Sequence, residues 1–185
     1  MMISTSTRTY ASRLGLLALA LAAALAGPGH AQERDVKRSP AGDKSVTVEQ
    51  GPHGLQATYA WPGGKLDATQ GVPFPGAVAV KWIDDQIAQV GGPCGPGCNA
   101  VFLVSPKGVV GPFPYVLAVD LKARVFAASD ATTIVIQSLD PPSRVLAQRP
   151  APEWCKALDC AFKARFVGGS LNFTGHGHTL SVPFH

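Results

Sequence analysis

Between residues 115 and 148 apolar runs alternate with turn-forming clusters, and an aspartate recurs every ten residues, at Asp120, Asp130 and Asp140. Asp side chains accept hydrogen bonds from the backbone two residues on, and proline presets φ, so these aspartates with Lys122, Ala131, Pro141, Pro142 and Ser143 suit turns. The runs between them, residues 116–119, 124–129, 132–139 and 144–148, are of strand length and rich in Val, Ile and Thr. This pattern predicts a four-stranded antiparallel meander. In its third strand Ile134 and Ile136 face one way and Val135 and Leu139 the other, which predicts that strand as the centre of a buried sheet.

Upstream, residues 45–50 alternate, Gly51-Pro52-His53-Gly54 turns the chain, and residues 55–61 return, giving a first hairpin. Residues 62–75 carry too many glycines and prolines for regular structure and predict a loop. Residues 77–83 read as a strand and Asp84-Asp85 as a hairpin turn. Residues 91–99 form a cysteine-containing loop, 100–104 a strand, 106–108 a turn, and Val109-Val110 a short strand before the bend at 111–114. Residues 150–160 form a bend with one helical turn. The tail alternates strictly: Phe162, Ala164 and Phe166, then Leu171 and Phe173, then Leu180, Val182 and Phe184, broken by turns at Gly168-Gly169 and at residues 175–178. That predicts a three-stranded sheet with one apolar and one wet face, with Pro183 at an edge or end.

The fold class is therefore all-β: antiparallel meanders forming two packed sheets, or a small blade-like β domain of two to three sheets, with little helix. Residues 132–148 are blade-like, yet the chain shows no repeat at the ~40-residue period of propeller blades and no Trp-Asp signature.

Composition changes the picture mainly at the N-terminus. Arg8 and Arg13 precede the thirteen-residue apolar run 14–26, and Gly29-His30-Ala31 places small residues at a cleavage site. Residues 1–31 are expected to be a cleaved secretory signal peptide, because the run is shorter than the roughly 20 apolar residues of a membrane span. No cysteine follows it to accept a lipid, and the two arginines are not adjacent, against the twin-arginine route. Residues 32–44 read as a disordered mature N-terminus and 45–185 as a single all-β domain. Without Arg8 and Arg13 the 16 basic residues fall to 14 against 12 acids, and they are scattered, so no nucleic-acid footprint exists. Stable membrane insertion is not expected, and the localisation expected is periplasmic or secreted.

Export makes the four cysteines, Cys94, Cys98, Cys155 and Cys160, candidates for disulfides. Local pairing, Cys94–Cys98 and Cys155–Cys160, is favoured because Gly, Pro or a short turn already brings each pair close; a bridge between the two loops is the other arrangement. Cys94-Gly95-Pro96-Gly97-Cys98 differs from a thioredoxin-like Cys-Gly-Pro-Cys by one residue and is followed by a strand, so a structural bridge is expected.

Other chemistry is sparse. His176 and His178, with His185 or His53, could supply imidazoles, but seven residues of strand carry His185 roughly 20 Å from the turn. Asp120 and Asp140 share one end of the meander about 10 Å apart, not far outside the spacing of inverting glycosidases, and turn roles account for both. Gly-x-Ser-x-Gly is absent, and Ser170 sits in a hairpin turn. Trp61, Trp82, Trp154, Phe74, Phe113 and Tyr115 could stack on sugars, with Phe74 and Phe113 the exposed candidates.

These features favour a non-enzymatic binding or inhibitory protein of the envelope, of the kind that protects a cell against a lytic enzyme, with another protein as partner and no cofactor. Its contact surface is expected to include Gly92, Pro93, Gly95, Pro96, Gly97 and Asn99 around the cysteine bridge. The alternatives are an envelope carbohydrate or peptidoglycan-binding module, and a small hydrolase or metal-binding protein.

Overall fold

A computed structural model describes residues 34–130, 132–155, 162–175 and 177–184. Among the described residues fifteen strands form four antiparallel sheets, each built from strands consecutive in the chain. The first contains β1 (Arg34–Arg38), β2 (Ser45–Gly51), β3 (Gly54–Trp61) and β4 (Gly64–Asp67). The second contains β5 (Ala79–Trp82), β6 (Ala88–Gly95), β7 (Cys98–Ser105) and β8 (Gly108–Phe113). The third contains β9 (Tyr115–Asp120), β10 (Val125–Ser129), β11 (Thr133–Ser138) and β12 (Val145–Pro150). The fourth contains β13 (Phe162–Val167), β14 (Ser170–Gly175) and β15 (His178–Pro183). The only helical element described is a 3₁₀ turn at Glu153–Cys155. The all-β antiparallel class holds, with four blade-like sheets where two packed sheets, or two to three, were expected.

Alternation along the strands decides how the sheets stack. Val46, Val48, Ala57 and Tyr59 of the first sheet share a core with Ala88, Val90, Phe102 and Val104 of the second. The opposite face of the second sheet, through Leu103 and Val110, packs on Phe126, Ala128 and Leu139 from the third. The remaining face of the third, through Val125, Ala127, Ile134 and Ile136, packs on Leu171, Phe173 and Val182 of the fourth. The layers therefore follow chain order, and each apolar face finds the next.

The buried centre of the meander is β10 and not β11. All five residues of β10 are buried, whereas in β11 Ile134 and Ile136 are buried and Val135 only half so. Val135 pairs with Ala128 and lies on the same face, but one strand further from the second sheet, where cover is thinner.

Three other expectations are corrected. Charged residues 34–44, read as disordered, form β1 and a turn. Every residue of β1 is exposed, so the strand is held by its ladder to β2, with Arg34 opposite Glu49. The turn is closed by the Ser39 N–H on the Lys44 carbonyl at 2.9 Å and tied down by the Ala41 N–H on Asp85 at 2.8 Å. Residues 62–75 are not all loop: Pro62-Gly63 is a tight turn into β4, and Gly64 leaves room for the Trp61 indole, which a Cβ would approach to 3.1 Å. Phe74 is fully buried and bridges Leu55. Residues 91–99 are likewise not a loop but the end of the β6–β7 hairpin.

Asp84 and Asp85 do form the β5–β6 turn, Asp84 accepting the Gln86 and Ile87 N–H groups at 2.7 Å each. The three-stranded tail is as expected, with Leu171 paired to Phe166 and Val182 on the buried face.

Phe126 is fully buried and its ring lies 5.1 Å from that of Phe113. Phe126→Ala should destabilise the protein by about 3–5 kcal/mol in urea denaturation, while Val167→Thr, at a half-exposed position, should stay within about 0.5 kcal/mol.

Candidate functional site

The β6–β7 hairpin turns through Pro96-Gly97 and is closed by a Cys94–Cys98 disulfide with Cα atoms 5.1 Å apart. A bulge between Pro93 and Gly95 sets Cys94 out of the ladder, and its side chain packs against the core shared by the first two sheets. Gly95 and Gly97 have φ of +149° and +67°, values that side chains resist. A Cβ at either would meet nothing within 4 Å, so the tip needs these glycines for backbone conformation and projects into open space. At its base the Asn99 amide donates to the Pro114 carbonyl, pinning the hairpin to the β8–β9 link. Gly91 is excluded from carrying a side chain by contact alone, since a Cβ would lie 2.2 Å from the Ala100 carbonyl oxygen.

Of the residues expected in the contact surface, Pro93, Pro96 and Gly97 are exposed together with Cys98, whereas Gly92, Gly95 and Asn99 are half-buried. The tip carries no charge. Beside its base is a groove of about 220 Å³ lined by Ala79, Lys81, Gln89, Gly92 and Asn99. Lys81 is the nearest cation of that groove and has no ion-pair partner among the described residues.

The cysteine expectation is met at Cys94–Cys98. The Cys155–Cys160 pairing lies outside the described residues, because Cys160 does. The strand β7 begins at Cys98, so this motif sits at a hairpin tip without the helix N-terminus that activates a redox thiolate.

The aspartates separate into two kinds. Asp120 accepts the Lys122 and Ala123 N–H groups at 2.9 and 3.0 Å, and Asp130 accepts the Thr132 and Thr133 N–H groups at 2.8 and 2.7 Å. The Thr132 contacts hold the Asp130 carboxyl below its usual pKa. Asp140 is an ion-pair hub: it accepts Arg124 Nε at 3.1 Å and Lys107 Nζ at 3.0 Å. Those bonds, Arg124 first, pull its pKa down to about 2, and the same contact raises that of Arg124. This cluster joins the β7–β8, β9–β10 and β11–β12 turns. Sequence reading missed it, since Lys107 and Asp140 are 33 residues apart and only Arg124, at φ +55°, marks an unusual turn.

His178 lies at the start of β15 with its ring stacked on Trp154 at 5.6 Å; His176 and His185 lie outside the described residues. Among the described residues no three His, Cys, Asp or Glu side chains gather as a metal site. Five of the six aromatics that could have stacked on sugars, all but Tyr115, pack on the cores. Phe74 is buried, Phe113 is half-buried against Phe126, and Trp61 and Trp82 flank the buried Tyr59, each with ring centroids 5.8 Å away. The Tyr59 hydroxyl donates to the Gln86 carbonyl, and burial, followed by the charges of Asp43 and Asp84, pushes its pKa up to about 12. The buried Trp82 indole N–H has no acceptor among the described residues, and nothing in the structure explains it. Ser170 is the first residue of β14, paired with Val167 across the Gly168-Gly169 turn.

No protein-family model matches this chain, and comparison with curated proteins and with solved structures yields no match. No helix among the described residues is long and apolar enough to cross a membrane.

Asp140→Asn should lower stability by about 1 kcal/mol at neutral pH, because one-third exposure screens the pair. The folded-state pKa is depressed, so the contribution is complete above the unfolded value and is lost as pH falls. Urea midpoints of variant and parent should therefore converge between about pH 4 and pH 2.

Proposed function

We propose that this chain is a secreted or periplasmic, non-enzymatic binding or inhibitory protein that grips another protein with the disulfide-closed end of the β6–β7 hairpin. The observation that carries this reading is the combination of projection and rigidity at one tip. Pro93, Pro96 and Gly97 stand in solvent while Cys94 is rooted on the core and Asn99 is tied to Pro114. Binding by a mobile loop costs conformational entropy, and a tip already fixed by a bridge, two prolines and a core contact costs less. The narrow glycine-containing end suits entry into a concave surface such as an enzyme cleft, the geometry an inhibitor of a lytic enzyme requires. Asp120, Asp130 and Asp140 are each committed to turn or ion-pair bonds, which supports a role other than acid–base chemistry.

Purified from its host, the protein should begin at Gln32, and intact mass retaining residues 1–31 would contradict export. With the native partner isolated from an envelope extract, Cys94→Ser with Cys98→Ser should weaken affinity about tenfold, about 1.4 kcal/mol, with an unchanged far-ultraviolet circular dichroism spectrum. Unchanged affinity would make the tip purely structural, and turnover of an envelope substrate would defeat the binder reading.

A further inference from the structure

We propose that the cleft between β5 and β9 is a strand-addition site that takes an extended, acidic segment of a partner polypeptide; this rests on the binding-protein reading and adds a second contact to it.

Two strands with a single ladder partner each line this cleft, joined on the β5 side by Gln89 of β6, the cross-strand neighbour of Lys81. β5 pairs only with β6, and β9 only with β10, among the described residues. The cleft, of about 300 Å³, is lined by the consecutive residues 81–83 at β5 and the consecutive residues 116–119 of β9. Side chains alternate across a strand, so consecutive residues line one cleft only where it runs along the strand's edge. Each edge presents backbone N–H and C=O groups that have no ladder partner, and an inserted strand, needing about 4.8 Å per pairing, satisfies them.

Of the six other outer strands among the described residues, four are blunted and β4 is only four residues long. All of β1 is exposed and four of its five residues are charged; β8, β12 and β15 carry Pro112, Pro150 and Pro183. β9 carries no proline, and its one charge, Asp120, is at its end. The character of the occupant follows from the lining. Lys81 is the single charge there, no carboxylate lines the cleft, and Lys81 has no ion-pair partner among the described residues. An acidic side chain on the incoming strand would supply that partner. Lys81 and Gln89 also line the groove at the base of the disulfide tip, so a segment leaving the cleft runs on toward Gly92 and Asn99.

The test uses the ¹⁵N-labelled full secreted chain and a capped hexapeptide probe, acetyl-Thr-Val-Asp-Val-Thr-Val-amide. Saturable amide shifts should concentrate at residues 80–83 and 116–119, with Kd at or below about 1 mM. The same probe N-methylated throughout, which cannot pair, should bind at least tenfold more weakly. Lys81→Glu, with its fold confirmed by its amide spectrum, should also lose at least tenfold. No saturable shift at those amides, or equal binding of the N-methylated probe, would overturn the proposal. Native-partner binding that is weakened by loss of the disulfide yet untouched by Lys81→Glu would sink the cleft while sparing the tip.

Discussion

The structure depends on central strands buried on both sides, β7 and, most completely, β10. β10 sends Phe126 and Ala128 to the second sheet and Val125 and Ala127 to the fourth, and none of them is more than 4% exposed. A strand placed there must satisfy every backbone group within its own sheet, and β10 does so by pairing with β9 on one edge and β11 on the other. Its residues also explain the close stacking. Two alanines keep the layers near one another, while Phe126 supplies on the order of 2–3 kcal/mol of apolar burial on one side. Bulkier residues at both alanines would force the sheets apart, a change that close-packed interiors tolerate poorly.

The same alternation explains why the stack has four layers. The outward face of the first sheet carries the rows Arg34–Glu49–Gln56 and Arg38–Ser45–Ala60–Lys65. The outward face of the fourth carries Arg165–Asn172–Ser181. Neither offers a continuous apolar surface for another layer, and Val36 and Val167 are isolated exposed residues. The first and fourth sheets share no core cluster among the described residues, so the layers end rather than close into a ring. Each sheet is open, so its first strand has one ladder partner only, β5 and β9 included.

Much of this was legible in the residues, and the misses have a common cause. Period-two alternation located the first hairpin and the tail because in each of them one face is dry, and apolar runs between turn-forming aspartates located the meander. Alternation failed for β1, where the ladder alone holds an exposed charged strand, and for β4, where Pro62-Gly63 make a tight turn and Gly64 leaves room for Trp61. It also misplaced the centre of the meander. Ile134 and Ile136 advertise burial by size, whereas Ala127 and Ala128 are buried because two layers converge on them, a fact no local pattern contains. At the tip, Gly, Pro and Cys correctly marked a short bridge, but not that strands run up to it from both sides. The ion cluster of Lys107, Arg124 and Asp140 had no local signal at all, as its members come from three separate turns.

The position of the Cys94–Cys98 bridge bears on what the tip is for. A disulfide constrains the unfolded chain in proportion to the logarithm of the loop it closes. A loop of five residues is worth roughly 2 kcal/mol by that relation, against roughly 4–5 kcal/mol for one of ~100 residues. A bridge serving global stability would join distant segments, and the sheets here already have three cores to hold them together. What so short a bridge does fix is the shape of a few residues. Those residues include Gly95 and Gly97, which without side chains have the most freedom to lose, and Pro96 between them, whose φ is already set. The constraint thus falls on a tip that projects into open space, where it adds little to the fold and fixes the shape of the tip itself.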